Sequence, residues 1–154
     1  PSDVLLGKVI TGKKVLVAGG GLVGAETADF LAEQGRRVTV IEMKDGLALE
    51  RDPYARPILL DSLKKAEVEI HTNSAIQEFF PDGVSYRDLS DPTSPVRELR
   101  GFDSIVLALG HVSNNTLESK LKDCVKEVYV LGDAKESGFV WGATYAAVEL
   151  AQKI

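Results

Sequence analysis

Three glycines and one glutamate carry the chemistry that this chain of 154 residues can be read for. Gly19, Gly21 and Gly24 stand in the spacing G-x-G-x-x-G, and Glu42 follows about 20 residues past the turn. Glycines so spaced let a chain leave a strand sharply, bring bare backbone close to a diphosphate, and pack the following helix tightly on its sheet. The first turn of that helix offers N–H groups with no intrahelical acceptor, at the positive end of the helix dipole, so it stabilises an anion. A carboxylate closing the next strand accepts hydrogen bonds from an adenosine ribose. The implied chemistry is recognition of a dinucleotide. A glycine turn serving only helix–sheet packing is the competing reading.

That chemistry needs a strand, a helix and a second strand, and the flanking residues supply them. Residues 15–18 (VLVA) read as an apolar strand, and residues 38–41 (VTVI) as a second strand ending on Glu42. Between them a helix from about Val23 to Gln34 carries Ala25, Ala28 and Ala32 on a narrow face, with Gly35 placed to end it. Glu42, Met43 and Lys44 then border the expected ribose position. The Glu42 carboxylate repels a 2′-phosphate, which Lys44 only partly offsets, so NAD(H) is expected over NADP(H).

The remaining chain extends the pattern. Residues 1–12 form a leading segment in which Ser2 and Asp3 are positioned to cap a short helix through residues 4–6. After a polar loop at residues 45–48, Asp52-Pro53 opens a helix with Ala55, Leu59 and Leu63 every fourth residue, and Pro57 makes its first turn irregular. Residues 68–72 alternate as a short strand. Residues 75–80 and 84–87 form a hairpin about Pro81-Asp82-Gly83; 89–95 is a loop, and 96–99 adds a meander strand. Residues 104–109 read as a buried strand ended by Gly110, and residues 127–131 as another ended by Gly132-Asp133. The last helix spans about residues 139–153.

The fold class is therefore α/β: a Rossmann-like parallel sheet with helices on both faces and a small antiparallel β-meander. Strand order 3-2-1 is expected, with the 105–109 strand beside the first. The expected organisation is a leading segment (1–12), a nucleotide-binding domain (13–110, with its meander at 75–100) and a return segment (111–154).

Bulk properties exclude several functions. A formal charge of −5 without a matching basic cluster argues against nucleic acid as a partner. The longest apolar run, residues 105–109, is far too short to cross a bilayer, and no secretory signal is read. The single cysteine, Cys124, allows no internal disulfide and no metal cluster, which suits a reducing, cytoplasmic setting. The chain begins on Pro1 rather than methionine, which suggests a piece of a longer polypeptide.

In order, GGGLVGAETA, IEMKDGLALERDPYARPILL, the hairpin, VLALG and VYVLGDA resemble the pyridine-nucleotide region of the two-dinucleotide-binding flavoprotein reductases. Within them the likeness is to the C-terminal portion of the 2-enoate reductases and 2,4-dienoyl-CoA reductases, relatives of trimethylamine dehydrogenase. The resemblance covers essentially the whole chain. It implies a parent with an FMN barrel, a 4Fe-4S cluster and an FAD domain, in which electrons pass from NAD(P)H through FAD and the cluster to FMN and an activated C=C bond. The partners so implied are the parent's FAD domain and FMN barrel. No catalytic residue is expected in this chain.

Individual positions carry over from the resemblance. Gly19, Gly21 and Gly24 match the pyrophosphate turn, with Leu22 and Val23 supplying N–H groups. Glu26 matches the acid of GxGxxGxE, placed either to orient nicotinamide or merely to favour the helix N-terminus. Gly110 matches the glycine at the return towards the FAD domain, and Asp133 the aspartate that meets the FAD ribityl and pyrophosphate. Where the family commonly continues after VLALG with an aromatic or arginine and then Pro-Asn, this chain has His111-Val112-Ser113-Asn114-Asn115; His111 and His71 read as surface residues.

Two other readings stand beside this one. FAD itself is the ligand of the glycine turn in the first. In the second, the chain is a non-catalytic piece that forms a homodimer through apolar surface around residues 128–131 and 139–141.

Overall fold

The computed structural model describes all 154 residues, as two units: Pro1–Gly110 and His111–Ile154. In the first unit the order is α1 (Ser2–Leu5), β1 (Lys14–Ala18), α2 (Leu22–Glu33), β2 (Arg37–Ile41), α3 (Arg56–Lys65), β3 (Glu69–His71), β4 (Ser74–Phe80), β5 (Gly83–Asp88), β6 (Arg97–Leu99) and β7 (Ser104–Leu107). Four strands pair in parallel in the order β3-β2-β1-β7, and three pair antiparallel in the order β4-β5-β6. The α/β architecture, the 3-2-1 order and the place of the last strand agree with the sequence reading.

Side-chain alternation decides the layers. Val15, Val17, Val38, Val40 and Val106 face α2 and α3, where they bury Ala25, Ala28, Leu31, Leu59 and Leu63. Leu16, Ala18 and Ile41 point to the opposite face and meet Val84 and Tyr86 of β5 together with Phe102. The sequence reading expected helices on both faces. The structure corrects it: helices cover one face and the meander the other. Both are apolar covers, and single-residue alternation identifies a buried face without saying what buries it.

The Ala25 and Ala28 side chains let α2 lie close against the strands, and both are fully buried. Asp52 accepts N–H bonds from Tyr54 and Ala55 at 2.9 and 3.2 Å, closing an irregular turn before α3. Leu63 at the far end of α3 has no exposed surface. Leu63→Ala should lower unfolding free energy by about 3 kcal/mol, since neighbouring side chains anchored in two strands and a helix cannot collapse into the void. Urea denaturation followed by circular dichroism measures it.

Local differences from the sequence reading have local causes. No side chain caps α1, which begins after Pro1, so Ser2 and Asp3 lie inside the helix rather than before it. β7 stops at Leu107; beyond it, Ala108 still donates to the Ala18 carbonyl at 2.7 Å, but Leu109 is exposed. The hairpin is clasped at its turn by Arg100, whose guanidinium donates to Asp82 and Glu98 at 3.0 Å each. The Arg100 bond, with the Gly101 N–H, holds the Asp82 carboxyl below the usual carboxylate range.

The second unit contains α4 (Thr116–Lys122), a 3₁₀ turn at Gly132–Ala134 and α5 (Val140–Ala151). No residue of either helix is buried. The strand expected at residues 127–131 does not form: the segment is extended towards Leu131 but no strand lies beside it to supply ladder hydrogen bonds. α4 was not anticipated, although Asn115 Nδ2 donates to Glu118 Oε2 at 2.5 Å across the N-x-x-E spacing at its start. Trp141 is largely exposed. No helix of the chain is long and apolar enough to cross a membrane.

Candidate functional site: the glycine turn at the strand tips

β1 ends at Ala18, and Gly19 turns the chain with φ of +101°, a left-handed backbone that a β-carbon would strain. The Gly19 N–H donates to the Ile41 carbonyl at the tip of β2, at 2.9 Å. A β-carbon on Gly19 would also strike the Ala108 carbonyl just past β7. The turn is therefore wedged between the tips of three adjacent strands. In the order β3-β2-β1-β7, succession runs one way from β1 to β3 and the other way to β7. Open α/β sheets bind ligands at such a reversal, outside the carboxyl ends of the strands.

Gly24 secures the helix to this turn. A β-carbon there would collide with the Gly19 carbonyl, so only glycine lets the first turn of α2 rest on the loop it leaves. α2 begins at Leu22 with Gly21 as its cap residue, and no side chain of the cap satisfies the first-turn donors. The Leu22 N–H instead donates to the Glu50 carboxylate at 2.5 Å. The same Glu50 oxygen would lie 2.9 Å from a β-carbon on Gly21. The bare backbone at Gly21–Leu22 thus already holds an anionic group, as the chemistry of a helix N-terminus requires. Val23, exposed, and Gly24 belong to the same turn.

Glu42 points into the crevice. Its carboxylate accepts from Gly20 N–H at 2.5 Å and from Lys44 N–H at 2.8 Å, so one side chain fixes both the glycine turn and the chain leaving β2. Met43 and Lys44 are exposed beside it. Glu26, one turn into α2, forms an ion pair with Arg51.

The segment after β2 is more ordered than its composition suggested. Leu47 and Ala48 are buried; Ala48 N–H donates to the Gly20 carbonyl at 2.8 Å, and Arg56 Nε to the Leu47 carbonyl at 2.8 Å. This anchoring brings Glu50 and Arg51 to the mouth of α2. Neither was singled out from sequence, because nothing in a D-G-L-A-L-E-R run says which side chain folds back on a helix 28 residues earlier. Two buried apolar residues inside a polar loop were the available signal.

Of the residues named from sequence, Gly19, Gly21, Leu22, Val23, Gly24, Glu42, Met43 and Lys44 converge at the tips of β1 and β2, with Glu26 one turn further along α2. Gly110 ends the first unit with φ of +91°. Asp133 belongs to the second unit, where it accepts from Gly138 N–H at 3.2 Å and borders a cleft with His111, Val112, Asn114 and Ser137. His111 and Cys124 are both exposed. No three His, Cys, Asp or Glu side chains converge as a metal site would need.

Comparison with known proteins places this geometry. Residues 14–87 match the family described as pyridine nucleotide-disulphide oxidoreductase. An NADH oxidase of Thermoanaerobacter brockii is 34% identical over 155 residues, covering 99% of this chain and 23% of the relative. A cinnamate reductase of Clostridium sporogenes is 30% identical over 155 residues, with the same coverage of 99% and 23%. Among solved structures, a 2-naphthoyl-CoA reductase in complex with 2-naphthoyl-CoA superposes with a TM-score of 0.77 at 26% identity, over 99% of this chain and 23% of that one. The chain thus spans about a quarter of the length of these relatives. It is similar to the pyridine nucleotide-disulphide oxidoreductases over residues 14–87, and over nearly its whole length to the matching quarter of the NADH oxidase, the cinnamate reductase and the 2-naphthoyl-CoA reductase.

Proposed function

We propose that the first unit binds NAD(H) across the Gly19–Gly24 turn and presents it to an FAD domain of a larger flavoprotein, an NADH-dependent enoate-type reductase. The observation that carries this reading is the uncapped first turn of α2, whose Leu22 N–H holds a carboxylate at 2.5 Å while Glu42 stands at the neighbouring strand tip. A diphosphate fits where that carboxylate lies. The adenosine ribose then falls towards Glu42, whose remaining lone pairs accept from its 2′ and 3′ hydroxyls.

Bound NADH supplies hydride. The chain's own part is to hold, orient and select the nucleotide. Gly19 and Gly24 keep the backbone close, the first turn of α2 neutralises the diphosphate, and Glu42 discriminates against a 2′-phosphate by charge and by desolvation. Asp133 and Gly110 are assigned to the flavin side of the parent protein, with FMN and a 4Fe-4S cluster further along. A cytoplasmic setting is proposed with it.

Titration calorimetry of the chain with NADH, NADPH and FAD tests the reading. NADH should bind, and NADPH should bind at least about tenfold more weakly, the scale of one like-charge pair at a half-buried site. Preference for NADPH would overturn the cofactor assignment, and FAD binding without NADH binding would overturn the site assignment.

A further inference from the structure

We propose that Glu50 is an internal competitor of the nucleotide diphosphate, so that NADH binds only as the Glu50 carboxylate leaves the mouth of α2. The inference rests on the nucleotide reading above and extends it to a residue that determines affinity. Three observations converge. The Glu50 carboxylate sits 2.5 Å from the Leu22 N–H and over Gly21, the backbone a diphosphate would have to approach. The buried Leu47–Ala48 step, with Ala48 at φ +48° and its N–H tied to the Gly20 carbonyl, holds the backbone so that the Glu50 side chain reaches this turn. Arg51, the next residue, is half-satisfied: it pairs with Glu26, but its Nε is buried with no acceptor.

Two anions cannot share those donors. A diphosphate brought to Gly21–Leu22 while Glu50 stays would place like charges in direct contact and competing for the same N–H donors, which disfavours simultaneous occupancy. Glu50 itself is exposed, so its side chain can swing outward into water without disturbing the Leu47–Ala48 anchor. Where it stands, Glu50 serves as the missing cap of α2, charge-matched to the helix dipole. The same contact that stabilises the start of α2 therefore weakens nucleotide binding.

The test compares the whole chain with Glu50→Gln and Glu50→Ala, by calorimetry with NADH and by thermal unfolding with and without saturating NADH. Glutamine keeps the length and one acceptor oxygen while removing the charge. Both variants should bind NADH about fivefold more tightly, the scale of one charge at an exposed helix N-terminus. Both should also show a lower Tm than wild type without nucleotide and an equal Tm at saturation. Adenosine, which lacks phosphate, should bind all three proteins alike. Wild type that binds NADH together with variants that bind equally or more weakly would overturn the competitor role and leave the nucleotide site standing. Failure of all three to bind NADH would remove the nucleotide reading, and the competitor role with it.

Discussion

Gly24→Val should abolish useful nucleotide binding while leaving most of the sheet intact. The new side chain would begin where the Gly19 carbonyl lies, and backbone cannot yield as a flexible side chain can. The first turn of α2 must lift away, and overpacking of this kind costs about 2 kcal/mol of stability. Lifting the helix also misdirects the N–H groups that would meet the diphosphate. Losing two or three such bonds at about 1 kcal/mol each corresponds to roughly a hundredfold weaker NADH binding. Gly24→Ala should show the same effects in smaller measure, because its methyl group meets the same carbonyl without further branching. A Gly24→Val protein that is folded by circular dichroism and binds NADH like wild type would disconnect the turn from the ligand.

Glu42→Gln should change the choice of nucleotide more than the fold. The amide oxygen can still accept from Gly20 or Lys44, but not from both with full charge assistance, so a stability loss of about 1 kcal/mol is expected. NADH affinity should fall about tenfold as charge-assisted bonds to the ribose become neutral ones. NADPH should lose much less, since the variant no longer repels a 2′-phosphate. Competition titrations of the two nucleotides against one variant give the ratio directly. An unchanged ratio would show that the carboxylate serves only to pin the Gly20 and Lys44 backbone.

These expectations depend on features legible in the sequence to different degrees. The strand–turn–helix–strand at residues 14–41 was readable because periodicity, glycine spacing and a terminal acid all specify the same backbone, and the structure places them in one parallel sheet. The hairpin was readable from its turn, with β4 and β5 meeting across Phe80 and Gly83. Three features were not. Which layer covers the second sheet face depends on distant contacts of Leu16 and Ile41 with Val84, Tyr86 and Phe102, which alternation alone does not encode. The segment at residues 127–131 has strand composition, but a strand exists only with a neighbour, and none is present beside it. Glu50 and Arg51 sit in a loop whose composition is polar, and only the burial of Leu47 and Ala48 shows that it folds inward.

The second unit illustrates the same dependence on neighbours. α5 exposes Val140, Trp141, Tyr145 and Val148, and neither of its helices buries a residue. A helix this apolar normally rests on another layer. Within the proposed function, the FAD domain of the parent protein provides that layer.

The central claim is that backbone amides of one helical turn receive the diphosphate, and amide-resolved NMR of the isotopically labelled chain addresses it most directly. On addition of NADH, the amide signals of Gly20, Gly21, Leu22, Val23 and Gly24 should shift furthest, with Lys44 following as Glu42 engages the ribose. Shifts confined to the residues about Asp133, with the Gly20–Gly24 amides unmoved at saturation, would contradict the account.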